Sequence, residues 1–113
     1  MIHVLRQVPD LRDLNDWGPV AAPIQGASRT SGAILFRDPG GIPESGLWEC
    51  TPGTWACDVA RAEFCYFVAG RCVYVAKDGE TAPIEAGDAA WFPAGWTGSC
   101  EVLETVRKVY VVC

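Results

Sequence analysis

Histidine is almost missing from this sequence of 113 residues: a single one, His3, stands near the amino terminus. Metal centres that need several imidazole ligands are therefore excluded as a class. Clustered positive charge is missing as well, because nine basic residues face fourteen acidic ones and only Arg107 and Lys108 are adjacent. A net charge of −5 without a basic patch does not favour nucleic acid as a partner.

Long apolar runs are also missing. No stretch approaches the roughly 20 consecutive apolar residues that a membrane helix needs. Residues 1–6 have neither the apolar region nor the cleavage site of a signal peptide. We therefore expect no membrane contact and a cytoplasmic location.

Six cysteines are present, but no two of them are spaced as Cys-x-x-Cys. Zinc-ribbon and thioredoxin-type motifs are thereby excluded. Nothing indicates secretion, and a chain of this length forms a core without disulfide bonds. We predict reduced thiols that are mostly buried as small apolar groups.

The strongest strand pattern covers residues 63–70, an aromatic and apolar run that begins with Glu63 and ends with Gly70. Such residues favour a pleated, half-buried surface. A second run, residues 71–75, follows at once, so we predict a hairpin that turns at Gly70. Glu63 must face solvent, pair with a cation or point into a cavity, because burying an unpaired carboxylate is costly.

Short strands separated by turn residues recur after residue 46, which is typical of an all-β sandwich or barrel. No stretch after residue 20 has helical periodicity. We predict strands near residues 46–51, 54–59, 63–69, 71–77, 81–84, 88–92, 97–103 and 105–112.

The first part of the chain is richer in proline and glycine and is predicted to be less regular. A short helix is expected after Asp10, since Leu11 and Leu14 would share one face and Gly18 could end it. The other predicted elements are an edge strand at residues 2–5, a loop or arm at 18–32 and a strand at 33–36. Residues 1–45 would thus form an N-terminal arm and residues 46–113 the barrel core, within one domain.

Two motifs at a fixed spacing resemble the cupin family. Glu63, six residues and Gly70 match the second half of the first cupin motif. Residues 87–95 match the second motif: a glycine, five residues, a proline, one residue and a glycine. The resemblance implies a small single-domain, RmlC-like cupin, an all-β double-stranded β-helix (jelly-roll barrel) with a ligand cavity at its mouth.

Residues 47–53 and 102–110 narrow this resemblance to one subgroup. It holds the cupin domains of (S)-ureidoglycine aminohydrolase and of the ethanolamine-utilisation cupin. Small cupins of this kind commonly dimerise through sheet edges or exchanged N-terminal strands, so a homodimer is expected.

The metal-ligand positions of the family are largely lost. Metal-binding cupins place two histidines before the glutamate and one after the second motif, whereas these positions here hold Cys57, Val59 and Gly98. Only Glu63 remains, so we predict no metal cofactor. Thiolates are the alternative, because strand parity would let several of them face inward. A set that would favour zinc consists of Cys57, Glu63, Cys65 and Cys100.

Glu63 is the candidate catalytic residue, as an acid or base or as a ligand anchor in an apolar cavity. The alternative is a structural ion pair with Arg71, Arg107 or Lys108. Arg107 and Lys108 alternate along the last strand and therefore point to opposite faces. One of them could enter the cavity and hold an anionic ligand.

Aromatic residues complete the candidate site. Tryptophans either stack on a planar ligand or pack the two sheets together, and Trp96, beside the second motif, is the best candidate for the mouth. A tyrosine offers its hydroxyl either to a ligand or to solvent. The predicted ligand-binding residues are Cys57, Glu63, Cys65, Trp48, Trp91, Trp96, Tyr66, Arg107 and Lys108.

Taken together, the sequence predicts a small-molecule-binding cupin without a histidine metal centre, whose ligand is a small polar metabolite, anionic or rich in nitrogen. One alternative is an enzyme of the ureidoglycine-aminohydrolase or isomerase kind that uses Glu63 as acid or base. The other alternative is a non-catalytic, dimeric interaction or regulatory domain.

Overall fold

The computed structural model describes residues 1–113 and is built of nine β-strands without an α-helix. It therefore offers no helix that could cross a membrane. The strands are β1 (Asn15–Pro19), β2 (Pro23–Gln25), β3 (Arg29–Arg37), β4 (Glu44–Cys50), β5 (Gly53–Val59), β6 (Glu63–Ala76), β7 (Thr81–Glu85), β8 (Ala89–Phe92) and β9 (Trp96–Val112).

The two longest strands, β6 and β9, organise the fold. They pair antiparallel along nearly their whole length, with three register shifts between Phe67 and Cys72. Such bulges bend and twist a strand, so each long strand contributes to two halves of a curled sheet. The first half has the strand order β1-β3-β4-β9-β6-β8, and the second has β2-β5-β9-β6-β7. The result is the jelly-roll barrel that the sequence predicts.

The predicted hairpin at Gly70 is wrong, because β6 continues through this residue without a turn. Gly70 lies at the corner of the strand with a φ of 82°, and a Cβ there would collide with the carbonyl oxygen of Thr105 on β9. The glycine is thus required by backbone conformation and close approach, and not by chain reversal. Strand β9 is likewise continuous where two strands were predicted.

The predicted short N-terminal helix is also wrong. Residues 8–10 form a turn, and β1 instead pairs with β3, Asn15 lying opposite Gly32. The spacing of Leu11 and Leu14 would fit a helical turn, but so short a helix is marginal in water. Pairing of β1 with β3 instead satisfies backbone N–H and C=O groups of this segment by hydrogen bonds to a neighbouring strand.

Residues 1–14 form an irregular segment, and the edge strand predicted at residues 2–5 is absent. Arg107 on β9 holds this segment, because its Nη1 donates hydrogen bonds to the carbonyl oxygens of Val8 (2.8 Å) and Leu11 (2.7 Å). The predicted loop at residues 18–32 contains β2 and the beginning of β3.

The core consists of inward-facing side chains from β4, β5, β6, β8 and β9. Phe67 is its largest fully buried side chain, and it packs edge-on to Tyr74 at a centroid distance of 6.4 Å. All six cysteines are free, and all but Cys113 are buried. The prediction of mostly buried thiols is therefore confirmed.

Candidate ligand cavity

One end of the barrel opens into a cavity of about 450 Å³. Its floor comes from the first residues of β6 and the last residues of β9, and its rim includes the segment that joins β5 to β6. Six aromatic side chains contribute to the walls, which makes the cavity largely apolar with few polar groups. These aromatic residues are Trp17, Trp48, Trp55, Tyr74, Phe92 and Tyr110.

A polar network centred on Glu63 lies at the floor of the cavity. Glu63 Oε2 accepts a hydrogen bond from Lys108 Nζ at 3.0 Å and another from Cys65 Sγ, also at 3.0 Å. The side chains of Lys108 and Glu63 are 10% and 21% exposed. The second oxygen, Glu63 Oε1, accepts no hydrogen bond from the protein. It is therefore a free acceptor on a carboxylate that lines the cavity.

Lys108 is held as an ammonium ion by its surroundings. Its Nζ lies 4.5 Å from the ring centroid of Trp48, within cation–π distance. Burial disfavours the ammonium, but its neighbours Cys65 and Glu63 outweigh burial, and the pKa of Lys108 is raised above its usual value. Because only a neutral amine attacks a carbonyl, Lys108 is not suited to covalent catalysis.

The thiols near the cavity are not nucleophiles either. Burial raises the pKa of Cys57 to about 12, and burial likewise raises the pKa of Cys65 to about 12. Both groups therefore stay protonated at neutral pH, and the thiolate is the reactive form.

The donor set does not fit a resident metal ion. The Glu63 oxygen that faces Cys65 is already bound to Lys108. The structure brings together no group of three or more His, Cys, Asp or Glu side chains that could hold a metal ion. The thiolate site considered from the sequence is therefore not formed by Cys57, Glu63, Cys65 and Cys100.

The remaining predicted ligand-binding residues separate into two groups. Trp48 contributes to the cavity wall together with Cys57, Glu63 and Lys108. Tyr66 and Trp91 lie instead on the outer surface with exposures of 45% and 58%. Trp96 packs against Phe92 beside a separate groove, and Arg107 points away from the cavity toward Glu49.

Sequence reasoning missed a second polar group in the cavity wall. Tyr110 donates a hydrogen bond to Glu44 Oε2 at 2.6 Å, and Glu44 Oε1 accepts another from Arg37 at 2.8 Å. The hydrogen bond from Tyr110 is the main cause of a lowered pKa of Glu44. Tyr110 lies two positions after Lys108 on β9, and residues two apart on a strand point to the same face. If Lys108 faces the cavity, Tyr110 is therefore expected to face it as well. Glu44 gives no such signal, because it lies outside both motifs.

The charges around the cavity are balanced. Glu44 pairs with Arg37 and Glu63 pairs with Lys108. At the rim, Asp58 and Arg61 are both exposed and make no hydrogen bond to other side chains. Three carboxylates and two cations line the cavity, and Arg37, from outside the lining, pairs with Glu44, so the charges in and around the cavity balance.

A jelly-roll barrel with a cavity at its open end is typical of the cupin class of proteins, and comparison with protein families identifies the family within that class. The family of EutQ-like cupin domains matches residues 37–110, which is more than half of the chain. The protein therefore belongs to the EutQ-like cupin family. No protein of curated function matches the chain.

Several solved structures share the fold. A protein of unknown function from Pseudomonas syringae has a TM-score of 0.81 at 23% identity over 91% of this chain, which spans 45% of that protein's length. A putative ethanolamine utilization protein Q from Salmonella typhimurium has a TM-score of 0.65 at 19% identity over 77% of this chain and 69% of its own. A protein from Thermotoga maritima is 33% identical over 59% of this chain and 76% of its own, with a TM-score of 0.58.

Proposed function

We propose that this cupin binds a small, flat, polar metabolite of no net charge, which donates an N–H group to Glu63 Oε1. The single observation that carries the proposal is the free acceptor oxygen on the floor of an aromatic-walled cavity. A buried ion pair contributes little to stability by itself. Its presence at the floor of a cavity is consistent with a role in ligand recognition.

The charge balance supports a neutral ligand. An anionic ligand would have to displace Glu63 from Lys108, leaving a carboxylate unpaired in a site that is only 21% exposed. A cationic ligand beside Glu63 Oε1 would approach the ammonium of Lys108, which is bound to the other oxygen of the same carboxylate. A neutral N–H donor meets neither penalty, and its planar body can stack on Trp48 or Trp55.

Three probes of nearly equal size separate these classes: benzamide, benzoate and benzylamine. Titration calorimetry at pH 7 should detect benzamide binding at least tenfold tighter than either charged probe. Preferential binding of benzoate would overturn the proposal and indicate an anionic ligand held by Lys108. Preferential binding of benzylamine would likewise contradict it.

Glu63→Gln tests the role of the free oxygen. Lys108 requires an acceptor at the position of Oε2, so the amide oxygen of the glutamine would stay there. The amide nitrogen would then take the position of Oε1, where its N–H groups would face the N–H group of the ligand and could not accept its hydrogen bond. We expect benzamide binding to weaken at least tenfold. Glu49→Gln is the matched control, because Glu49 pairs with Arg107 at 3.1 Å with a similar exposure of 24%, but on the other face of β9. Equal loss in both variants would contradict the proposal.

An enzyme of the ureidoglycine-aminohydrolase or isomerase kind is the second candidate. It is favoured by the position of Glu63, whose free oxygen could accept a proton from a bound substrate. The protonated thiols and Lys108 supply no nucleophile, so such an enzyme would depend on acid–base chemistry alone. Release of ammonia from small amides that is lost in Glu63→Gln would favour the enzyme over a pure binding protein.

The proposed setting is a cytoplasmic homodimer that works without a metal cofactor. A non-catalytic regulatory role would use the same assembly, with the ligand as its signal. Metal content measured by mass spectrometry on protein purified without chelator tests the cofactor: a stoichiometric ion would contradict the proposal.

A further inference from the structure

Glu63 and Lys108 form their ion pair although they do not lie opposite each other in the sheet. In register, Glu63 lies opposite Val112, whereas Lys108 lies opposite Phe67 on one side and Trp48 on the other. The lysine side chain therefore extends along the inner face of the sheet, over the ring of Trp48, before its Nζ reaches Glu63 Oε2 at 3.0 Å. The carboxylate thus determines where the ammonium group lies in the cavity wall.

The ammonium group of Lys108 has more hydrogen-bond donors than the protein uses. A lysine carries three N–H donors. Glu63 Oε2 takes one of them, and the ring face of Trp48, 4.5 Å from Nζ, can take a second. No other oxygen of the protein accepts a hydrogen bond from Nζ. Because the side chain is only 10% exposed and lines the cavity, the third N–H is a donor that a ligand can satisfy.

The ion pair therefore presents an acceptor and a donor side by side. The acceptor is Glu63 Oε1, which accepts no hydrogen bond from the protein, and the donor is the third N–H of Lys108. The nearby hydroxyl of Tyr110 is no substitute for this donor, because its proton is donated to Glu44 at 2.6 Å. A ligand that matches both groups needs an N–H and an oxygen acceptor on one edge.

We propose that the cavity recognises a planar amide whose N–H and C=O lie on the same edge, that is, a primary carboxamide or a cyclic amide. Its carbonyl oxygen accepts a hydrogen bond from Lys108 Nζ, and its N–H donates to Glu63 Oε1. The inference rests on the proposed function, to which it adds the second hydrogen bond and thereby the class of the ligand.

The same geometry excludes peptides and other open-chain secondary amides. Their amide bond is almost always trans, so the N–H and the C=O point in opposite directions and cannot both meet one ion pair. The two expected hydrogen bonds each involve a charged group of the protein, and such bonds are stronger than neutral ones. Aromatic walls leave the rest of a flat ring to stack.

Three small probes separate the two hydrogen bonds: oxindole, acetanilide and 1-methyloxindole. Oxindole has its N–H and C=O on one edge, acetanilide has the same groups on opposite edges, and 1-methyloxindole has lost the N–H. In titration calorimetry at pH 7, oxindole should bind about tenfold more tightly than either of the others, the loss expected for one hydrogen bond to a charged group. Equal binding of acetanilide and oxindole would overturn this inference and leave the proposed function intact. Equal binding of 1-methyloxindole and oxindole would overturn both.

Lys108→Met tests the donor directly. The variant should reduce the preference for oxindole over acetanilide from about tenfold to less than about threefold, because the carbonyl oxygen loses its partner. Lys77→Met is the matched control: Lys77 is the other lysine of the chain, is exposed and does not line the cavity, so the preference should be unchanged. A tenfold preference that survives in Lys108→Met would overturn the inference. If Lys108→Met does not fold, the comparison of oxindole with acetanilide on the wild-type protein decides.

Discussion

Arg107 and Lys108 are neighbours on β9, yet the two faces of the strand use them in opposite ways. Arg107 points outward, where its guanidinium binds Glu49 at 3.1 Å and two carbonyl oxygens of the N-terminal segment. Lys108 points inward, and its ion-pair partner is Glu63, whose Oε2 lies 3.0 Å from Nζ. Both side chains are 10% exposed and both carboxylate partners are slightly more exposed.

The difference lies in what each pair leaves unsatisfied. The planar fork of an arginine can bind several acceptors at once, so Arg107 joins three parts of the chain and is a structural anchor. The ammonium of Lys108 is a point charge on one oxygen of Glu63, and the other oxygen of this cavity-lining carboxylate accepts no hydrogen bond from the protein. Equal burial therefore does not imply an equal role: a saturated pair stabilises the fold, whereas an unsaturated pair can recognise a ligand.

The largest expected effect comes from removing Arg107, the cation of the outward-facing pair with Glu49. Arg107→Met leaves Glu49 Oε1 and the carbonyl oxygens of Val8 and Leu11 without their donor, so we expect a loss of about 3–5 kcal/mol in the free energy of unfolding. Urea denaturation followed by tryptophan fluorescence measures it. Residues 1–14 should also become sensitive to limited proteolysis. Rescue by Arg107→Lys would contradict this account, because an ammonium cannot reproduce the fork.

A somewhat smaller effect is expected from Lys108→Met. The variant leaves Glu63 without its cation, but cavity water can reach Oε1, so we expect about 3 kcal/mol, the lower end for a broken buried pair. The double variant Lys108→Met, Glu63→Met replaces the pair by apolar groups of similar volume. It should recover most of the stability and lose benzamide binding altogether. A double variant as unstable as the single one would show that the pair is structural like that of Arg107.

The smallest expected effect concerns Glu44 and pH. The hydrogen bond from Tyr110 and the ion pair with Arg37 lower the pKa of Glu44 below its unfolded value of 4.5. A lowered folded-state pKa contributes stability above pH 4.5 that is lost as the pH falls through the folded-state value. Glu44→Gln should cost on the order of 1 kcal/mol at pH 7.

The pH dependence of that difference is the decisive observation. The gap in melting temperature between wild type and Glu44→Gln should shrink as the pH is lowered from 7 to 3. Tyr110→Phe, which removes the donor and keeps the ring, should behave in the same direction. A gap that is constant over this range would show that the charge of Glu44 plays no part.

Much of the fold could be predicted from the sequence because strands and turns depend on residues that are close together in the chain. Alternating apolar residues between Gly- and Pro-containing turns predicted short strands, and the resemblance of Glu63, Gly70 and residues 87–95 to the cupin motifs implied the barrel. Parity along the last strand predicted that Arg107 and Lys108 would point to opposite faces, and the structure confirms it.

Other features depended on contacts between distant residues. Gly70 was predicted to form a turn because glycine favours turns. Only the close approach of the Thr105 carbonyl group on β9 shows that this glycine instead permits a bend within one strand. Leu11 and Leu14 read as a helix because pairing between β1 and β3 is invisible to local periodicity.

By itself, the sequence determined the all-β barrel, the loss of a histidine metal centre, the buried thiols and the presence of a carboxylate at the head of β6. Only the tertiary structure decided which cation neutralises that carboxylate, which of its oxygens stays free, and which aromatic residues face the cavity and which the outer surface. The physical reason is that composition and alternation act within a few residues of the chain. Pairing of charges and burial depend on residues that are distant in sequence, which the pairing of β6 with β9 brings together in space.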